Sequence, residues 1–368
     1  MKISTDKNEL LRHLQTIARV ASSRSAIQAL SGVQLSAADG GVELRATDQD
    51  LALRIPLAAE VTRPGELVLP ARLLLDVVRQ LPDATVSLEL RPEQQDVELL
   101  SGTAHFHLRT LRNEDFPPLP EASGEGEVSM PAQAFVATVE RVSRSASRDE
   151  TRPILTGVLV SASGADLRMV ATDSYRLSVK ETVLETPLSE GFEANVPARA
   201  LEELSRLTDE STETIAVGVR ANQVVFRVGA VTLSSRLIDG QFPNFSQLLP
   251  EQFEHELTLD TEELLTVVRR ISLLAQKNAP LRLSFAEGEL RVSAQTPDVG
   301  EASETLALPF AGEPFEIGFN AEFLVAGLES AGSSQVILKL ISPLRPGLLE
   351  AADGSGFLYL IMPIRLNV

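Results

Sequence analysis

Two hydrophobic periodicities alternate along this chain. "VELRA" (42–46), "LRMVA" (167–171) and "LRVSA" (290–294) alternate apolar with polar residues, as half-buried strands do, and turn signals such as Asp39-Gly40-Gly41 and Glu287-Gly288 bound them. Helical spacing appears in between: Leu10, Leu14 and Ile17 share one face over about 6–21, and Leu74, Val78 and Leu81 share another over 71–81. Pro70 and Pro197 stand just before helical stretches, where a proline suits the first turn. The pattern predicts helices over 6–24, 71–80, 131–148, 198–207, 260–278 and 320–331, with antiparallel strands elsewhere. Helices lying on such sheet make an α+β layer architecture.

The pattern repeats. Gly32-Val33 returns as Gly157-Val158 and Thr47-Asp48 as Thr172-Asp173, each 125 positions later; Pro70-Ala71-Arg72 returns as Pro197-Ala198-Arg199 after 127, and Phe116-Pro117 as Phe242-Pro243 after 126. Four matches in one order at nearly one spacing mark a duplicated unit. A fainter third copy runs through "LRLSFAEGELRVSAQTPD" (281–298), where Thr296 follows Thr172 by 124. Three units of two helices each are expected over 1–126, 127–253 and 254–368, joined at "ASGEGE" (122–127) and "LLPEQFEHE" (248–256).

With 368 residues, 43% of them hydrophobic, there is ample surface for several cores. Cysteine is absent, which excludes disulfides and thiolate chemistry and suits a reducing compartment. The charged start "MKISTDKNELL" shows no secretory signal, and the longest apolar run, "FLYLIMPI", falls far short of the roughly 20 residues a bilayer needs, so a cytoplasmic location without membrane contact is expected. The formal charge of −18 argues against a polyanionic partner only if it is evenly spread. It is not: the six predicted helices sum to about +3, leaving about −21 elsewhere. Cations also follow the first helix of each unit, at Arg24, at Arg144, Arg148 and Arg152, and at Lys277. An acidic body with a repeated basic face can follow phosphates while rejecting indiscriminate contact.

Reactive chemistry is missing. No phosphate-binding G-x-x-x-x-G-K-[ST] loop and no G-x-S-x-G elbow occur, and four histidines leave few general bases. His105 and His107 would share a strand face, but no carboxylate–histidine motif accompanies them in sequence, so no metal is expected. Asp48 and Asp173, as members of a repeated Thr-Asp turn, read as backbone-bonding turn residues rather than catalytic carboxylates. Neither catalysis nor a cofactor is expected.

"VATDSYRL" (170–177), "LIDGQFPNF" (237–245), "EIGFN" (316–320) and above all "YLIMPIRL" (359–366) resemble the bacterial DNA sliding clamp family, the beta subunits of DNA polymerase III, along the whole chain. The resemblance implies three similar clamp domains forming a half-ring, two of which close head to tail around duplex DNA with the helices inward. Twelve helices at about 10 Å spacing give a circumference of roughly 120 Å and a hole of about 28 Å, wide enough for B-DNA of about 20 Å to slide without tight phosphate contacts.

That family's function would be polymerase processivity in the nucleoid. The partners implied are the polymerase III alpha subunit, the clamp loader and repair or translesion polymerases, bound through short linear motifs; the alternative is a peptide-binding hub that keeps the fold without loading on DNA. The resemblance places the peptide cleft at Leu155, Thr172, Ser174, Tyr175, Arg176, Leu177, Pro243, Gln247, Leu248, Asn320, Phe323, Leu344, Pro346, Leu360, Met362, Pro363, Ile364, Arg365 and Leu366. It assigns DNA contact to Arg24, Arg72, Arg148, Arg152, Arg199 and Lys277, and the dimer interface to Phe106, Leu108, Leu273, Glu301 and Glu304. Departures from the family are Ser174-Tyr175 where relatives often have Gly-His, Gln247 for an arginine, Asp149 for an uncharged polar residue, Asn278 near a usual aromatic, His105 and Thr103 for interface arginines, and Asn367-Val368 past the usual end.

Overall fold

The structure, a computed structural model, describes every residue except 23–24, 39, 120–126, 221, 276–278, 298 and 367–368. Six helices form among the described residues: α1 (Lys7–Val20), α2 (Ala71–Gln80), α3 (Ala132–Val142), α4 (Ala198–Leu207), α5 (Thr261–Ser272) and α6 (Ala321–Ala331). Three start on a side-chain cap that satisfies an otherwise orphaned N–H. Asp6 accepts from Glu9 N, Asp260 from Glu263 N and Asn320 from Phe323 N. The apolar stripes are buried as the spacing predicts: Leu10, Leu14, Ile17 and Val20 on α1, and Leu264, Val267, Val268 and Ile271 on α5.

Three helices are shorter than predicted. α1 ends at Val20, where the chain turns extended at Ala21. α3 gives way after Val142 to a single 3₁₀ turn at Ser143–Ser145 instead of running to residue 148. The serine-rich stretch finds other partners there: Ser145 Oγ bonds Ser178 Oγ at 2.6 Å, and Ser147 N donates to Leu155 O at 2.8 Å. Short polar side chains that reach nearby acceptors compete with the helical ladder. α5 stops at Ser272, whose hydroxyl turns back to Arg269 O.

The chain forms two compact units, Met1–Ala132 with Arg206–Leu237, and Gln133–Ser205 with Ile238–Val368. In the first, an antiparallel five-stranded sheet runs in the order Ala59–Arg63, Lys2–Asp6, Thr85–Arg91, Asp96–Ser101, Ala104–Arg109. An eight-stranded sheet runs Glu127–Pro131, Thr214–Arg220, Gln223–Val228, Val231–Arg236, Leu51–Leu57, Gly41–Thr47, Gly32–Ala38, Gly65–Pro70. α1 and α2 pack together over this second sheet.

The second unit has its own eight-stranded sheet: Phe192–Pro197, Gly157–Ser163, Asp166–Thr172, Arg176–Val183, Phe357–Ile361, Gly347–Ala351, Gln335–Leu340, His255–Asp260. A four-stranded sheet runs Gly300–Ala307, Glu289–Thr296, Leu281–Ala286, Phe315–Phe319. α5 and α6 cover a core that includes Phe285, Val292, Phe319, Leu328 and Tyr359.

Each eight-stranded sheet is therefore sewn together from two sequence repeats. Leu51–Leu57 pairs with Val231–Arg236, Leu53 opposite Leu233; 125 positions on, Arg176–Val183 pairs with Phe357–Ile361, Ser178 opposite Tyr359. The middle repeat is divided between the two units, because backbone pairing at each seam ties one part of it to a different neighbour.

Candidate functional site

The site grows from one turn. Thr172 Oγ1 donates to Arg176 O at 2.6 Å and accepts from Ser174 N at 3.2 Å, while Asp173 Oδ1 accepts from Tyr175 N and Arg176 N. The bonds hold Ser174 at φ +79°, a left-handed conformation costly for a side-chain-bearing residue. The first repeat writes the same turn: Thr47 Oγ1 bonds Leu51 O and Gln49 N, Asp48 Oδ1 accepts from Asp50 N and Leu51 N, and Gln49 sits at φ +85°. Both aspartates are turn residues, as their spacing indicates.

What the turn presents differs between copies. Arg176 is locked by Asp173 Oδ2 at 3.0 Å and by Arg144 O at 2.5 Å, and its guanidinium lies 4.5 Å from the Phe323 ring centroid. Tyr175 stacks on the same ring at 6.5 Å. Phe323 is held from below by the Tyr359 hydroxyl, which donates to its carbonyl at 2.7 Å, and burial pushes the Tyr359 phenol pKa up, keeping it a donor. Gly327 lets this ring in, since a Cβ there would lie 2.6 Å from it. Met362 N donates to Tyr175 O at 2.9 Å, so the C-terminal segment runs along the turn.

Thr172, Leu177 and Leu360 are buried and form a floor, with Leu177 opposite Leu360 across the seam. Phe242 packs on Leu177 and Leu360 in one cluster and so anchors the loop bearing Pro243, Gln247 and Leu248. Gly347 pairs opposite Ile361, which brings the turn with Leu344 and Pro346 alongside Met362. Pro363 follows Met362 directly. Asn320 caps α6 through Phe323 N. Leu155 is buried where its carbonyl accepts from Ser147 N. Above the floor, Tyr175 (60%), Leu248 (50%), Leu344 (63%) and Met362 (42%) stay exposed. An apolar rim with arginine, threonine and backbone groups beneath suits an extended peptide whose side chains are apolar.

The last three expected wall residues also border a polar groove. Ile364 N donates to Gly318 O at 2.7 Å, and Ile364, Arg365 and Leu366 line this groove with Arg282, Arg291, Glu301 and Glu316.

Among the expected DNA contacts, Arg72 on α2, Arg148 and Arg199 on α4 are exposed. Arg24 and Lys277 lie outside the described residues, as do Asn278 and Asn367–Val368. Arg152, its side chain 41% exposed, bonds Asp149 Oδ2 through Nε at 3.0 Å and Ser174 Oγ through Nη1 at 3.1 Å, so it also braces the Thr172–Arg176 turn. Asp149 anchors this arginine. Sequence reasoning had no signal for that pairing, because Arg152 and Ser174 are 22 positions apart.

The expected interface residues fall on two sheet edges. In the first unit, Ala104–Arg109 is an edge strand on which Phe106 is 37% exposed and Leu108 buried. In the second, Gly300–Ala307 is an edge strand carrying Glu301, and Leu273 just past α5 is 83% exposed. Glu304 is not an unengaged acid: Arg270 grips it with two bonds, of 2.6 and 3.1 Å, which lower its pKa.

Family models for the N-terminal, central and C-terminal domains of the DNA polymerase III beta subunit match residues 1–120, 129–244 and 246–365. The beta sliding clamp of Synechococcus elongatus is 35% identical over the full length of both chains, and that of Bacillus subtilis 29% identical over 99% of this chain and all of the relative. Solved structures agree: the sliding clamp of B. subtilis superposes with a TM-score of 0.93 at 29% identity, and that of Pseudomonas aeruginosa bound to griselimycin with 0.90 at 30%, each covering both chains fully. The turn, the seams and the whole-length match converge: this chain belongs to the DNA polymerase III beta subunit family, the bacterial sliding clamps, and has their three-domain fold.

Proposed function

We propose that this polymerase processivity factor works as a head-to-tail homodimer whose ring surrounds duplex DNA and whose cleft, built on the Thr172–Arg176 turn, tethers polymerase and other partners by short apolar peptides. Its domains are 1–126, 127–253 and 254–368.

One observation carries the ring. Each of the first two repeats offers a strand, Leu51–Leu57 or Arg176–Val183, to a strand of the following repeat, Val231–Arg236 or Phe357–Ile361. The third repeat's counterpart, Gly300–Ala307, has no such partner among the described residues, and neither does Ala104–Arg109, the first repeat's counterpart of the accepting strand. A second copy supplies both at once, making the same seam a third time. Edges left this way are a heterologous interface that closes when the rotation allows. The hairpin glycines Gly102 and Gly229, both left-handed and 127 positions apart, and the matching core-facing pairs Ala46–Leu53 and Ala294–Ala302 set the register: Ala302 opposite the partner's Phe106, Glu301 opposite the partner's His107. A peptide-binding hub that never closed would keep the cleft but have no use for two matched edges.

DNA contact then falls to the exposed arginines of α2, α4 and the segment after α3, with Arg24 and Lys277, loosely enough to slide. The test is retention: load the protein with a bacterial clamp loader onto nicked circular DNA, raise the salt, and cut the circle once. Persistence on the intact circle with release on cutting is expected. Equal loss from both forms, with a control clamp retained, overturns the ring.

A further inference from the structure

We propose that Glu98, His105 and His107 form a binding site for a divalent transition metal of the zinc class, on the outer face of the strand that closes the ring. His105 and His107 stand two apart on the edge strand Ala104–Arg109 and so share a face, and pairing sets Glu98 of the neighbouring strand directly opposite His107. One ligand atom from each of the three lies within 4.8 Å of the others. Two imidazoles and a carboxylate are ordinary zinc donors, with bonds of about 2.0–2.2 Å, so rotamer adjustments of about an ångström bring the three around one ion. Their freedom allows it: the side chains of His105 and His107 are 51% and 39% exposed, that of Glu98 23%.

The contacts already made are those a cation would replace. His105 Nε2 meets Glu98 Oε1 at 2.8 Å, and the metal takes the place of the hydrogen between them while His105 keeps its proton on Nδ1. His107 Nδ1 receives the Arg91 guanidinium at 2.5 Å, and Arg91 is itself held by Asp96, whose Oδ2 is 3.9 Å from the same Nδ1. A positive group thus already occupies this corner, and a bound metal displaces it toward Asp96. With three protein ligands the coordination is incomplete. Here the inference rests on the ring reading: the register that sets Glu301 opposite the partner's His107 places that carboxylate on the same face as the histidines, as a fourth ligand supplied on closure. A carboxylate and a metal would then do at this seam what the family's interface arginines do with the same acid.

The experiment uses untagged, chelator-treated protein and zinc chloride alone. Calorimetric titration should show one Zn²⁺ per chain, and the His105→Asn, His107→Asn double variant should lose affinity by at least about tenfold; the chain's other two histidines, His13 and His255, lie outside the site and give the background. Equal binding by the double variant overturns the metal site. Sedimentation equilibrium with and without Zn²⁺ tests the closure: tighter dimerisation by about tenfold in the wild type but not in Glu301→Gln supports the shared ligand, and no metal effect on dimerisation overturns it. A chain that binds Zn²⁺ yet stays monomeric at every concentration overturns the ring reading and leaves the metal site standing.

Discussion

Thr172 shows how much one hydroxyl can organise. It both donates to Arg176 O and accepts from Ser174 N, in a position 5% exposed, so Thr172→Val takes away the acceptor of Ser174 N and leaves Arg176 O only the longer bond from Asp173 N. The expected cost is about 0.5–1.5 kcal/mol of stability, read by urea unfolding. Peptide affinity should fall as well, because Arg176 hangs from this turn beside Phe323. Ser174→Gly should act in the opposite sense on stability, by about 0.5–1 kcal/mol, since glycine accepts φ +79° without strain. It also removes the acceptor that Arg152 uses. The aspartate and threonine of this turn were legible from the repeated Thr-Asp pair. Arg152 was not, since a salt bridge to Asp149 and a bond across 22 positions leave no periodic trace.

Elements are legible where one face is buried and obscure where helix ends depend on local bonding. α2 and α4 have the boundaries their spacing predicts, whereas α3 is cut short by serines that bond across to Ser178 and Leu155. Packing decides α6 just as firmly. Gly327 faces Tyr359 so closely that Gly327→Ala should destabilise by about 1–3 kcal/mol, despite alanine's better helix propensity. The same substitution should weaken peptide binding by shifting Phe323, which Tyr359 supports. Calorimetric melting and a peptide titration on one sample would check both. In the proposed ring the edge strands carry the oligomer: Phe106→Asp should leave the fold's circular dichroism unchanged and move the protein from dimer to monomer in sedimentation, because it puts a charge where the proposed seam sets Phe106 against Ala302 of the partner subunit.

Across the whole molecule the acidity is distributed rather than averaged, and the pH response should reveal which carboxylates support the structure. Glu329 holds Arg269 at 2.7 Å and also pairs with Arg144, and the hydrogen bond from Arg269, then that from Arg144, lowers its pKa below the ordinary 4.5. A depressed folded-state pKa contributes stability that is present above 4.5 and is lost as pH falls through the lower folded value. Thermal stability should therefore drop on acidification below about 4.5, and Glu329→Gln should flatten part of that slope while lowering stability at neutral pH. A slope unchanged by the substitution would mean that the bridge contributes nothing measurable.

The sequence by itself determined the α+β class, the threefold repeat, the helix faces and the turn chemistry, because periodicity and local hydrogen bonding act within a few residues. It also carried the family, through motifs that lie along the whole chain. Tertiary structure alone decided which strands meet. The seam that sets Leu177 opposite Leu360, the register that brings Glu98 to His107, and the bridge that ties Ile364 to Gly318 all depend on pairings between distant segments. Pairing register is set by the fit of whole faces to the core, and no short window of sequence contains that information.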